Sequence, residues 1–278
     1  MRLYFFTIIF LLNFYCYGQS NDKWRAGSAL SLTGKTYVLT VFISEKEWRY
    51  DEKLKIINEV YGAEGWLVGQ AKNYGKSISF MGGNYGLVET VIMDNIVSGT
   101  ASGNEPKGIV SSVLKKIGYS NSMQFVDWVK KNTNCSNSLV LIIANKDGIG
   151  YALPYSTNMD QEKYFLEGSI VYKNYSVNLP LCRSQIAHEI LHLFSAWDLY
   201  KTLDQGKDRE YKAKQIFPND VMLRVSYDIN ELKVDKLTAW LVGLSSYSED
   251  RYEWFSPNYA RNSKVRGFFE WFFDWRNF

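Results

Sequence analysis

Apolar positions along the chain follow two rhythms, one close to alternation and one close to a helical turn. From Thr36 to Ser44 the run Tyr-Val-Leu-Thr-Val-Phe-Ile is rich in β-branched and aromatic residues and predicts a buried strand. Residues 51–74 predict a long helix, with Leu54, Ile57, Tyr61 and Val68 on one face. Gly62, Gly65 and Gly69 interrupt that helix and mark either close packing against a sheet or a break. Lys76 to Phe80 reads as a short strand ended by Met81-Gly82-Gly83-Asn84, and residues 88–97 fit strand or loop equally. Pro106 suits the first turn of a helix carried by Ile109, Val110, Val113, Leu114 and Ile117, and a second helix runs over 122–131. Leu139 to Asn145 is almost wholly apolar and predicts a central strand. Gly148 to Tyr155, broken by Gly150 and Pro154, suits an edge strand, and Gly168 to Tyr172 a further one. Ser184 is an acceptable N-cap for a helix with Ile186, Ile190, Leu193 and Phe194 on its apolar side. Another helix is expected over 234–243. This order of elements predicts an α+β domain.

Composition narrows the picture. The chain has 278 residues, 46% of them hydrophobic and 16% aromatic, enough material for one sizeable core. Met1-Arg2 followed by the apolar run Leu3 to Cys16 and by Cys16-Tyr17-Gly18 reads as a signal peptide cleaved after Gly18, so residues 19–278 form a single exported domain. Later stretches are too short and too polar to span a bilayer. The net charge of +3, with both signs interspersed, argues against a nucleic-acid partner. Export leaves Cys135 and Cys182 as a pair in an oxidising compartment; either they form a disulfide tying sheet to helix, or they are two buried thiols.

The chemistry concentrates in one stretch. Residues 188–192 read His-Glu-Ile-Leu-His, and the chain contains only two histidines, both here. Four residues apart on a helix, His188 and His192 point their imidazoles at one place, which suits Zn²⁺, and Glu189 between them has the position of a general base for a zinc-bound water. Two imidazoles leave such an ion one protein ligand short.

Asp198, ten residues after His188, has the spacing of the third ligand in the metzincin zinc peptidases, whose extended motif this stretch resembles. The family usually has Gly where this chain has Ser195, the residue that lets the chain turn sharply after the helix. Phe217-Pro218-Asn219-Asp220-Val221-Met222 is similar to the methionine-containing turn beneath the metal in that family, which would give Met222 a supporting role. A competing resemblance is to the thermolysin-like peptidases: Asn230-Glu231-Leu232-Lys233-Val234-Asp235 is similar to the segment that supplies their third ligand, and on that reading Glu231 replaces Asp198. The tight spacing of Asp198 and its agreement with Met222 favour the first.

The resemblance implies a zincin-like fold, with a mixed twisted sheet, an active-site helix and a mostly helical C-terminal part. It also implies a secreted zinc endopeptidase acting on protein or peptide substrates, whose edge strand over 148–155 pairs with substrate backbone. An oxyanion donor is needed too; Tyr227 and Tyr200 are candidates, because the family's usual position, two residues after the methionine, holds Arg224. The alternative of a different class is a non-catalytic protein on the same scaffold, binding peptide or polymer through the edge strand and the aromatic tail over 247–278, which otherwise packs on the domain. A mere binder has no need of Glu189.

Overall fold

The computed structural model describes residues 25, 27–96, 108–153, 166–176, 179–202 and 205–257. The expected signal peptide, the Pro106 helix start, Pro154-Tyr155 and the aromatic residues beyond 257 lie outside them. Among the described residues no helix is long and apolar enough to cross a membrane.

Two long strands form the centre: β1 (Gly34–Ser44) and β4 (Asn137–Asp147) pair in parallel. The sheet runs β2-β1-β4-β6-β5, with β2 (Ile78–Tyr85), β6 (Glu167–Ser176) and β5 (Tyr151–Leu153). The short β3 (Val91–Ile92) pairs with β1, and β7 (Leu179–Pro180) with β6. All pairings are parallel except those of β5 and β7 with β6. The result is a mixed α+β architecture in which β5 closes the sheet as an antiparallel edge strand.

Alternation along the central strands divides the core between two faces. Leu139, Leu141 and Ile143 of β4 face one apolar layer, and Val140, Ile142 and Ala144 the other. The second layer is covered by α2 (Ile109–Lys116) and α3 (Ser122–Asn132). The first is covered by α1 (Tyr50–Asn73) and α4 (Arg183–Leu193), and α4 packs on α1, β5 and β6. The C-terminal part is helical and irregular: α5 (Lys207–Ile216), α6 (Lys236–Leu241) and 3-10 turns at Ile229–Glu231 and Asp250–Phe255. Within the aromatic segment, Tyr252 and Phe255 are buried and Trp254 packs against the same core.

Several sequence expectations need correction. The buried face of α1 is Ile56, Ile57, Val60, Ala63, Leu67 and Ala71, rotated from the expected one; Tyr61 is exposed and accepts a hydrogen bond from Asn84 Nδ2 at 2.7 Å. Of the three glycines in α1, Gly62 meets a neighbour, where a Cβ would fall 2.4 Å from Arg183 Nε; Gly65 and Gly69 face open space. Strand β2 does not end at Met81 but continues to Tyr85. Gly82 permits this, since a Cβ there would overlap the Val38 carbonyl oxygen. Cys135 and Cys182 are both free and buried. Cys135 belongs to the layer under α2 and α3, while Cys182 caps α4 on the opposite side of the sheet, so no bridge joins them.

Candidate metal centre

Helix α4 begins and ends on well-defined hydrogen bonds. Cys182, not Ser184, is its N-cap, and its N–H donates to Gln185 Oε1 at 3.0 Å. Ser184 instead clamps a distant segment: its hydroxyl donates to the Ser226 carbonyl at 2.7 Å and accepts from the Ser226 N–H at 3.0 Å. Ile186, Ile190, Leu191 and Leu193 anchor the helix in the core, each contributing about 1.5–3 kcal/mol.

At its C-terminus the helix closes with a Schellman pair. The Ser195 N–H donates to the His192 carbonyl at 2.8 Å and the Ala196 N–H to the Leu191 carbonyl at 3.1 Å. Ser195 has φ of 73°, the left-handed region that favours glycine. The sharp turn expected here is made without glycine. It sends the chain back along the helix and delivers Asp198 to the two histidines.

His188 Nε2, His192 Nε2 and Asp198 Oδ1 form a nearly equilateral triangle with sides of 3.1, 3.1 and 3.2 Å. Tetrahedral zinc, with bonds of about 2.0–2.1 Å, needs ligand separations of about 3.3–3.4 Å. The outer ring nitrogens fix the tautomer of a neutral imidazole at each position. His188 Nδ1 donates to the Val221 carbonyl at 3.0 Å and His192 Nδ1 to the Ala196 carbonyl at 2.9 Å. With hydrogen on each Nδ1, either ring, when neutral, turns an Nε2 lone pair toward Asp198. Three acceptors this close need a positive charge among them. A proton satisfies one pair of atoms; a metal ion satisfies all three. These residues, and no other group of three His, Cys, Asp or Glu among the described residues, have donor atoms close enough to hold an ion together.

Glu189 is buried beside the triangle, and its Oε2 has no hydrogen-bond partner among the described residues. Burial pushes its carboxyl up to about 8; positive charge on a protonated His188 opposes this and the Asp198 charge adds to it. A dication in the triangle pulls the other way. Burial would raise the Asp198 carboxyl as well, but the two imidazoles, when protonated on Nε2, outweigh it and hold Asp198 far below the usual carboxylate range.

The turn before Met222 is organised by a buried carboxylate. Asp220 Oδ1 accepts the Met222 N–H at 2.7 Å and Oδ2 accepts the Asp235 N–H at 2.8 Å. This holds the Val221 carbonyl against His188. Met222 itself is fully buried, and its carbonyl accepts the Leu199 N–H at 2.9 Å, tying the turn to the segment that carries Asp198.

A cavity of about 630 Å³ opens over the triangle, with His188, Glu189, Asp198, Tyr200 and the Gly148–Gly150 segment in its walls. Tyr200 lies over His188, ring centroids 5.9 Å apart, and burial, with the Asp198 charge adding to it, pushes its hydroxyl above the usual phenol range. The two other sequence candidates stand elsewhere. Tyr227 is exposed and its hydroxyl donates to the Pro180 carbonyl at 3.3 Å. Glu231 is on a surface 3-10 turn, accepting from Ser226 Oγ at 3.0 Å and lying 3.5 Å from Arg224 Nη1. Both are drawn away by local partners that the linear spacing did not reveal. Sequence reasoning also missed Gly150 as part of the site: a Cβ there would lie 2.9 Å from Glu189 Oε1. Its position in a broken edge strand was the available signal.

No protein-family model matches this chain, and no curated protein does. Among solved structures, metalloproteinase-II from Bacteroides fragilis is similar at a TM-score of 0.33 and 15% identity, over 82% of this chain and 61% of that one. This chain therefore spans less than two thirds of the length of that protein. A likeness at this TM-score carries no argument about shared fold or chemistry.

Replacing Asp198 by Ala is expected to weaken zinc binding by more than about a hundredfold, beyond the loss typical of an outer-shell partner, while Glu231→Ala retains the metal. Zinc content after dialysis against a competing chelator measures both; an emptied Glu231→Ala site with a full Asp198→Ala site contradicts the geometry. Gly150→Ala should still fold, with at most a small fall in thermal midpoint because its Cβ meets Glu189 Oε1 at 2.9 Å and the Ile170 carbonyl oxygen at 3.3 Å, yet lose roughly ten- to a hundredfold in any hydrolysis that uses Glu189. Unchanged hydrolysis by a folded Gly150→Ala protein contradicts this.

Proposed function

We propose that the chain is an exported, zinc-dependent endopeptidase of the metzincin-like zincin type. The observation that carries this reading is the convergence of three acceptor atoms beside a buried carboxylate with an unpartnered oxygen, all opening on one cavity. His188, His192 and Asp198 are the residues that hold zinc. When bound there, zinc supplies Lewis acidity, lowering the pKa of water and polarising a carbonyl oxygen.

The remaining work falls to the chain's own groups. Glu189 Oε2 takes the proton of the attacking water and passes it to the nitrogen of the leaving amine. Its buried surroundings keep other donors from competing for that oxygen. Tyr200, in the cavity wall over His188, donates its hydroxyl to the carbonyl oxygen as negative charge develops on it. Among the described residues β5 pairs with β6 on one side only, so its other side offers backbone N–H and C=O groups to an extended peptide. Met222 supports the turn that aims His188. Residues 1–18, a basic head followed by an apolar run, support export. Glu189 favours this reading over a non-catalytic binder, which would have no use for an unpaired buried carboxylate.

Glu189→Gln should retain zinc and lose about 10²- to 10⁴-fold in kcat on unfolded casein or a fluorogenic peptide. Near-normal activity in this variant contradicts the proposed base. Tyr200→Phe should lose roughly 10²- to 10³-fold in kcat with KM and zinc content close to the parent's. A fall in zinc affinity instead of kcat would assign Tyr200 to holding Asp198.

A further inference from the structure

We infer that the site selects peptides carrying a carboxylate on one side of the scissile bond, and that Lys201 and Arg224 recognise it; this rests on the peptidase reading above. The charges lining the cavity are unevenly placed. Its two carboxylates, Glu189 and Asp198, are committed to the chemistry. Its two cations, Lys201 and Arg224, are outside that cluster, and no other acidic side chain lines the cavity among the described residues.

The cations also share a side. Lys201 follows Asp198 by three residues and Arg224 follows Met222 by two, and the Leu199 N–H to Met222 carbonyl bond of 2.9 Å clasps the two segments together. The wall built by Gly148–Gly150 and by Val171, Tyr172 and Tyr175 brings no charge. A peptide lying through the cavity therefore meets positive charge on one flank only.

Arg224 is held for such a role by loose, solvent-exposed contacts. Nη2 donates to Asn219 Oδ1 at 3.3 Å, and Nη1 lies 3.5 Å from Glu231 Oε2. An exposed pair of that length is weak and exchanges readily for a substrate group. The guanidinium presents five N–H donors in a planar fork that matches a carboxylate. With a dication in the triangle, the cavity as a whole is positive and draws anionic groups in. The carboxylate is supplied either by an Asp or Glu side chain or by a peptide C-terminus.

The test uses the zinc-loaded chain and quenched fluorogenic peptides that differ only in carrying Glu, Gln or Lys at each position flanking the cleaved bond, all amidated. A matched neutral pair, one amidated and one with a free C-terminus close to the cleaved bond, separates the two sources. The expected result is a kcat/KM ratio of Glu over Gln of about three- to tenfold on one flank, with Lys below Gln. The ratio should shrink at about 0.5 M salt, fall toward one in the Lys201→Gln/Arg224→Gln double variant and invert in Arg224→Glu. Fluorescence anisotropy with zinc-loaded Glu189→Gln should rank the peptides in the same order without turnover. A gain confined to the free C-terminus also supports the inference and fixes the source. If the neutral peptide is cleaved while neither Glu nor a free carboxylate gives any gain, the inference is overturned and the peptidase reading stands. If neither the peptides nor unfolded casein are cleaved, the peptidase reading falls and takes the inference with it.

Discussion

Two hydrogen bonds from imidazole to backbone decide what this site is. His188 Nδ1 to the Val221 carbonyl and His192 Nδ1 to the Ala196 carbonyl fix ring orientation and tautomer together, so that both Nε2 lone pairs converge on Asp198. Neither acceptor is on the helix that carries the histidines. The Ala196 carbonyl is placed by the Schellman turn that ends α4, and the Val221 carbonyl by the turn that Asp220 organises. The geometry of the triangle is thus a property of two turns. A helix with the same two histidines and different turns would carry two solvated imidazoles.

This arrangement is costly for the chain by itself. Ser195 is held in the left-handed region, at about 1–2 kcal/mol for a non-glycine residue. Asp198 faces two lone pairs, and Glu189 is buried with one oxygen unbonded. Each of these opposes folding locally, and the two apolar layers on either face of the sheet offset them. A cation in the triangle relieves the crowding of acceptors in the folded chain and finds no such triangle in the unfolded one, so metal binding and stability are linked.

What was legible in the sequence was what depends on short spacing. Four residues on a helix bring His188 and His192 together, and a turn at Ser195 returns Asp198, so which three residues meet follows from local geometry. Strands β1 and β4 were legible because buried parallel strands are apolar throughout. What failed depended on contacts distant in sequence. Tyr227 and Tyr200 were equivalent on paper, and the Pro180 carbonyl on β7 separates them by holding one away. Glu231 matched a motif by its neighbours, but Ser226 and Arg224 hold it at the surface. Cysteine parity said nothing about which side of the sheet each thiol occupies. The glycines of β2 read as the end of the strand, because nothing local shows that Val38 of the neighbouring strand β1 lies tightly against Gly82.

The edge of the sheet and Glu189 are joined through a single residue. Strand β5 is short and antiparallel at the end of a mostly parallel sheet, and a three-residue edge limits indiscriminate pairing with other chains. The Gly150 backbone just before it passes so close to Glu189 that there is no room for a side chain without moving the carboxylate. An extended peptide added to that edge would therefore lie beside Glu189 because of how β5 enters the sheet, with no separate element needed to bring them together. The same constraint explains why the edge is broken by glycine at a position where a strand would ordinarily favour a β-branched residue. Closeness to Glu189, not the propensity of the strand, sets the residue there.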